Sequence, residues 1–132
     1  MADDPTMGEG MGFELLAASL RADAGDDRAF LEALATKLGG ALPDRVRVER
    51  GGGLFSHDHP VHRLAVTLGD WEYVVAAAAG RLDAARTHLV RGVALKSEPL
   101  ALDEWIETLS AELAALAERS AHDRAALQRL LG

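Results

Sequence analysis

Three histidines and an aspartate lie close together in the segment GGGLFSHDHPVH, residues 51–62. Imidazole nitrogens bind Zn²⁺, Ni²⁺ or Cu²⁺, and three of them with one carboxylate complete a tetrahedral site. In an extended backbone His57 and His59 point the same way, whereas Asp58 points away and His62 joins them only if the loop curls. The segment predicts either a metal site formed by these four residues or a polar connector loop. We favour the loop, because H-x-H-x-x-H is not an established zinc signature.

The same segment places Ser56 beside His57 and Asp58, which are the residue types of a nucleophilic triad. Triads are assembled in space from rigid elements, and neighbours in sequence rarely reach the required geometry. The chain has no G-x-S-x-G elbow, phosphate-binding loop or H-E-x-x-H motif. It also has no cysteine, which excludes thiolate nucleophiles and cysteine-based metal centres. We therefore expect a protein that is not an enzyme and holds no cofactor.

Five arginines in the middle of the chain are candidates for binding an anion or an acidic partner. The net charge is −7, which disfavours binding to nucleic acid or to an anionic membrane. Residues 45–96 nevertheless hold eight basic and five acidic side chains. Guanidinium groups on adjacent strands can chelate phosphate or carboxylate. The alternative, which we favour, is a solvated sheet face with acidic cross-strand partners. The five arginines are Arg45, Arg47, Arg63, Arg86 and Arg91, and His88 accompanies them.

Two helices are predicted at the start of the chain from apolar residues at helical spacing. Residues 1–12 are glycine-rich and polar, and we expect a flexible tail there. The first helix runs from Phe13 to Arg21. Asp26 is placed to cap the second helix, and the pair Gly39-Gly40 is expected to end it.

A sheet is predicted from stretches that alternate or are rich in β-branched residues. The expected strands are residues 45–50, 61–68, 71–78 and 82–95. Gly69-Asp70 is a two-residue hairpin signal, Arg91-Gly92 indicates a bulge or bend, and Ser97-Glu98-Pro99 is expected to end the sheet. Short connections favour an antiparallel meander.

A long helix is predicted from about Leu102 to the end of the chain. Unbroken, it would have about 30 residues and a length of roughly 45 Å, more than a domain of this size needs. The apolar pattern falters at Ser120, so the helix either breaks there or reaches a second subunit with its last turns. The prediction is one α+β domain over residues 13–132. It has a four-stranded antiparallel meander, two N-terminal helices and one long C-terminal helix.

Two groups of apolar residues are candidates for an interface. Leu54 and Phe55 stand in the glycine-rich loop, where a large apolar side chain often docks on a partner or on its own core. The leucines Leu127, Leu130 and Leu131 either form a dimer contact or fold back onto the sheet.

The segments LEALATKLGGALPDRVRVER, GGGLF, VTLGDWEY, HLVRGVALKSE and LDEWIETLSAELAALAE resemble small α+β proteins of actinobacteria for which no activity is known. The resemblance covers most of the chain from Phe13 to about Ser120. It implies a bacterial cytoplasmic protein of this general length, and it transfers no functional residue.

The sequence as a whole favours a non-catalytic binding or adaptor protein that acts through protein–protein contacts. We expect a homodimer with a further protein partner, in the cytoplasm, without nucleic-acid or membrane binding. The first alternative is a metal-binding protein that uses His57, His59 and His62. The second is an anion-responsive module that uses the arginine-rich sheet face.

Overall fold

The computed structural model of the chain describes residues 15–22, 26–51, 59–119 and 121–131. The predicted tail, residues 1–12, lies outside this part. Within it, the elements follow one another in an α+β order. They are helix α1 (15–22), helix α2 (Asp27–Ala41), strands β1 (Val46–Arg50), β2 (Val61–Leu68), β3 (Trp71–Ala78), β4 (Arg81–Val90) and β5 (Val93–Leu100), and helices α3 (Leu102–Arg119) and α4 (Ala121–Leu131).

The strands form one antiparallel meander in the order β1-β2-β3-β4-β5. The predicted meander is confirmed, but the predicted four strands are wrong, because residues 82–95 form two strands rather than one. Arg91 and Gly92 both have positive φ, at 53° and 79°. This is the backbone of the tight turns that reverse a chain in two residues. The sequence pointed only to a bend here, because arginine rarely adopts a positive φ.

The sheet also continues further along the chain than predicted. Ser97-Glu98-Pro99 does not end it: these residues belong to β5 and pair with Thr87, Arg86 and Ala85 of β4. Pro99 is accommodated because β5 is an edge strand, where a missing N–H can face away from the sheet.

All described helices lie on one face of the sheet and build the core with it. Alternate strand residues such as Leu64, Val66 and Tyr73 point toward the helices and are fully buried. From the helices, Phe30 and Trp105 meet them, with ring centroids 6.4 Å apart in an edge-on arrangement. No helix in the described ranges is long and apolar enough to cross a membrane.

The C-terminal region consists of two helices, so the predicted single long helix is wrong and the alternative, a break near Ser120, is the one the structure has. α3 ends at Arg119 and α4 begins at Ala121, so the break falls at the faltering apolar pattern around Ser120. Arg124 Nε donates a hydrogen bond of 2.9 Å to the Ala117 carbonyl, which the end of α3 leaves without a helical partner. The break lets α4 fold back, and Leu127 becomes 1% exposed.

Helix α2 begins as predicted and ends later. The Asp26 carboxylate accepts hydrogen bonds from the backbone N–H groups of Arg28 and Ala29, at 3.1 and 3.2 Å. The helix then continues through Gly39-Gly40 to Ala41, which is buried. Burial of this last turn outweighs the cost of two glycines in a helix. The first helix occupies 15–22, and Phe13 lies outside the described residues.

Candidate functional site

The histidine loop is described only at its two ends. His57 and Asp58 lie outside the described residues, as do Leu54 and Phe55. Among the residues that are described, no group of three or more histidine or carboxylate side chains could hold a metal ion. The metal site therefore stays a prediction.

The two ends of this loop are tied together and to helix α2. The Gly51 N–H donates to the Pro60 carbonyl at 2.9 Å, and His59 Nδ1 lies 3.2 Å from the Gly51 carbonyl oxygen. Glu32 accepts from the Arg50 guanidinium at 3.2 Å and from the backbone N–H of Val61 at 3.1 Å. Sequence reasoning missed Glu32, because nothing in its spacing links α2 to partners that lie 18 and 29 residues further along the chain.

The five predicted arginines do not share a face of the sheet. Arg47 and Arg63 lie on the face away from the helices, where Arg63 is 3.8 Å from Glu49. Arg45 precedes β1 and lines a shallow cavity of about 160 Å³ together with Arg47. Arg86 lies on the helix-facing side, opposite Tyr73, and Arg91 stands in the β4–β5 turn.

Three side chains, those of Trp71, Arg86 and His88, form a stacked cluster on the helix-facing side of the sheet. The cluster lies at the end of the sheet that the helices do not cover. The Arg86 guanidinium carbon is 4.2 Å from the centroid of the Trp71 ring, in cation–π geometry. The His88 ring stacks on the same indole, with centroids 4.8 Å apart and planes tilted by 34°. Arg86 Nε donates a 2.6 Å hydrogen bond to Glu98 Oε1, and this bond raises the pKa of Arg86 further. Arg86 is therefore held in place from two sides.

Tyr73 connects this cluster to the core. Its side chain is fully buried, and its hydroxyl has no hydrogen-bond partner in the described part of the chain. Burial raises the pKa of Tyr73, and the negative charge of Glu112 adds to this while Arg86 opposes it. The Tyr73 ring meets Trp105 edge-on at 6.3 Å, and Trp105 Nε1 donates to the Ala85 carbonyl at 3.0 Å.

Strand β3 begins at Trp71, so the end of the β4–β5 hairpin that extends past His88 is not paired with β3. The Leu89 N–H donates to the Asp70 carbonyl at 2.7 Å, and the next pair, Val90 and Val93, closes the hairpin. Val90 is 41% exposed, Val93 60% and Leu95 64%. The hairpin therefore presents aliphatic side chains to solvent where the sheet projects past its helices.

We call this region the hairpin surface. It consists of Trp71, Arg86, His88, Val90, Arg91, Val93, Leu95 and Lys96. Of these residues, the sequence placed Arg86, Arg91 and the accompanying His88 among its candidate sites. The signal that could have revealed the rest is the apolar pair flanking Arg91-Gly92, because a turn with large aliphatic residues on both sides exposes them unless another element covers it.

The predicted C-terminal interface residues pack against the chain's own core. Leu127 is buried, and Leu130 and Leu131 are partly buried beside it. Leu130 also lines a cavity of about 250 Å³ with Lys37 and Arg129, between the ends of α2 and α4.

Comparison with known protein families, with curated proteins and with solved structures found no match for this chain.

Proposed function

We propose that this chain is a non-catalytic binding protein that acts through protein–protein contacts, and that the hairpin surface is where its partner docks. One observation carries the proposal. Within the described ranges four large apolar side chains are exposed, and three of them, Val90, Val93 and Leu95, stand together on the β4–β5 hairpin. Grouped exposed apolar residues on a soluble domain mark interaction sites more often than scattered ones do.

The hairpin surface is also pre-organised. Trp71 contacts both the Arg86 guanidinium and the His88 ring, and Glu98 fixes the guanidinium from the adjacent strand. A partner that docks here does not have to order these side chains, so less conformational entropy is lost on binding.

Site-specific photo-crosslinking in the cells that produce the protein tests this proposal. A benzophenone amino acid replaces Val93, and a matched chain carries it at Arg47, which is exposed on the opposite face of the sheet. We expect discrete crosslinked species from position 93, and we expect Leu95→Ser to weaken them. Equal crosslinking from both positions, or none that depends on Leu95, would show that the hairpin is not a docking site.

The same experiment tests the predicted homodimer. Crosslinked species of twice the chain's mass would identify a second copy as the partner, and sedimentation velocity of the untreated protein would check it. In a two-fold dimer the hairpin surface would meet its own copy, so that Arg91 and Lys96 would face like charges. We therefore expect a different protein to be captured.

A further inference from the structure

We propose that the partner of the hairpin surface is an acidic peptide segment that carries apolar side chains. This inference rests on the proposed function and adds the chemistry of the segment that binds. The residues that carry it are the unpaired cations around Val90, Val93 and Leu95.

Recognition at this hairpin depends on side chains, because strand β5 is poorly suited to pair with another strand. The β4–β5 register shifts between His88 and Leu89: His88 pairs with Lys96 and Leu89 pairs with Ala94. Leu95 is therefore an extra, unpaired residue in β5. Such a bulge disrupts the ladder along an edge. Pro99 lacks an N–H, and a lysine in an edge strand opposes continuous pairing. A partner backbone would meet an interrupted row of donors and acceptors.

The charge of the hairpin surface is opposite to that of the whole chain. The chain carries −7, whereas the hairpin surface holds the three cations Arg86, Arg91 and Lys96, with the two carboxylates Glu98 and Asp70 beside it. Glu98 neutralises Arg86. The side chains of Arg91 and Lys96 form no ion pair with any other described residue. Two uncompensated cations therefore flank the exposed aliphatic side chains.

The arrangement of these groups favours a carboxylate in one particular place. His88 and Lys96 are directly opposite each other in the register of β4 and β5, with Arg86 two residues from His88 on the same face. A carboxylate from a partner would pair with the Lys96 ammonium here and accept a hydrogen bond from a ring N–H of His88, while its apolar neighbours pack on Val90 and Val93.

A protein segment fits these features better than a lipid surface does. Membrane-binding surfaces place aromatic side chains at the interface, but the exposed apolar residues here are aliphatic, and Trp71 is half-buried in its stack. The net charge of −7 repels an anionic bilayer. We therefore argue for a peptide and treat lipid binding as an outcome of the test.

The first step of the test selects peptides against the full chain with a phage library of random dodecapeptides. We expect enrichment of sequences that combine Asp or Glu with Val, Leu, Ile or Phe. The affinity of the consensus peptide is then measured by fluorescence anisotropy with four variant proteins. Arg91→Glu combined with Lys96→Glu removes the cations, and Val93→Ser combined with Leu95→Ser removes the apolar contacts. Arg81→Glu and Leu15→Ser are the controls, since both residues are exposed and lie outside the hairpin surface and outside the predicted binding residues.

Each hairpin double variant should weaken binding by about tenfold or more, and the controls by less than about twofold. Binding should also weaken as salt is raised, because the charges are exposed. All substituted side chains are exposed, so the melting temperatures should stay close to that of the parent and show that the variants fold.

The remaining outcomes separate the two proposals. Peptides that depend on Val93 and Leu95 but carry no acidic bias would overturn the acidic segment and leave the docking site standing. Peptides that bind all variants equally, or no selected peptide at all, would overturn both. Binding to phosphatidylserine-containing vesicles in the absence of selected peptides would also overturn the inference, since it would replace a protein segment with a lipid surface.

Discussion

The β2–β3 hairpin and the β4–β5 hairpin belong to one sheet but end in different surroundings. At the β2–β3 turn the Arg119 guanidinium, from the last turn of α3, lies beside Gly69, and the preceding Leu68 is fully buried. At the β4–β5 turn no described helix covers Val90 or Val93, which are 41% and 60% exposed. The residues beside the β2–β3 turn are thus part of the core, whereas those beside the β4–β5 turn are exposed to solvent. The difference follows from the position of α3 along the sheet, because α3 covers the first turn and not the second.

The sharpest way to test this contrast is the same substitution in both hairpins. Val66→Ala, in β2, should lower the free energy of unfolding by about 2–3 kcal/mol, because it removes two buried methyl groups and leaves a cavity. Val93→Ala should change it by less than about 0.5 kcal/mol. Urea denaturation followed by circular dichroism measures both. Equal losses would mean that a partner or another part of the chain covers the β4–β5 hairpin.

A second pair of substitutions replaces one glycine in the β4–β5 turn and one in helix α2. The two are expected to change the free energy of unfolding in opposite directions. Gly92→Ala should destabilise the fold by about 1–2 kcal/mol, because φ is 79° there and a Cβ atom is strained in that conformation. Gly39→Ala, inside α2 with no neighbouring atom near its added Cβ, should stabilise the fold by about 0.5–1 kcal/mol. Thermal unfolding of the two variants checks this, and the same sign for both would contradict the assigned turn.

The ion pair between Arg86 and Glu98 is expected to contribute less to the free energy of unfolding than the buried valine or the turn glycine does. Glu98→Gln should lower the free energy of unfolding by about 0.5–1 kcal/mol, because both partners remain partly exposed. It should also release Arg86 from Trp71, which shifts the Trp71 emission toward longer wavelengths. Trp105 is fully buried, so the shift reports on Trp71. Glu32→Gln, which loosens the loop ends instead, is the control and should leave the emission unchanged.

The ionisation of Tyr73 is expected to have the smallest effect on stability at neutral pH. Burial raises its pKa above the usual value of 10.0, so the folded state holds the phenol proton more tightly than the unfolded state. The stability that this provides is complete below pH 10 and is lost as the pH rises through the folded-state pKa. Tyr73 is the one tyrosine of the chain, so absorbance at 295 nm follows it directly. A native midpoint at or below 10 would contradict its burial. Tyr73→Phe should remove the tyrosine-dependent part of the alkaline loss.

Local sequence signals predicted those features that depend on neighbouring residues. Asp26 was recognised as a cap because a short acidic side chain before an apolar repeat has few other roles. Gly69-Asp70 was recognised as a turn for a similar reason. Arg91-Gly92 was underestimated, because the register of the whole β4–β5 ladder, and not arginine's own preference, imposes its positive φ.

The candidate site was harder to predict than the fold. Arg86 and Arg47 look alike in the sequence, since both are arginines in alternating strands. The structure places them on opposite faces and gives Arg86 a carboxylate from β5 and an indole from β3. Glu32 also carried no local signal, because its partners Arg50 and Val61 come from two different strands.

The amino-acid sequence by itself determined the α+β class, the antiparallel meander and the cap of α2, because periodicity and turn chemistry act over a few residues. It also determined that aliphatic residues flank the last turn of the sheet. Only the tertiary structure decided that this turn projects past α3, that Leu127 folds into the core and that the arginines divide between two faces. These outcomes depend on which surfaces helices cover, and burial is settled by contacts between residues far apart in the chain.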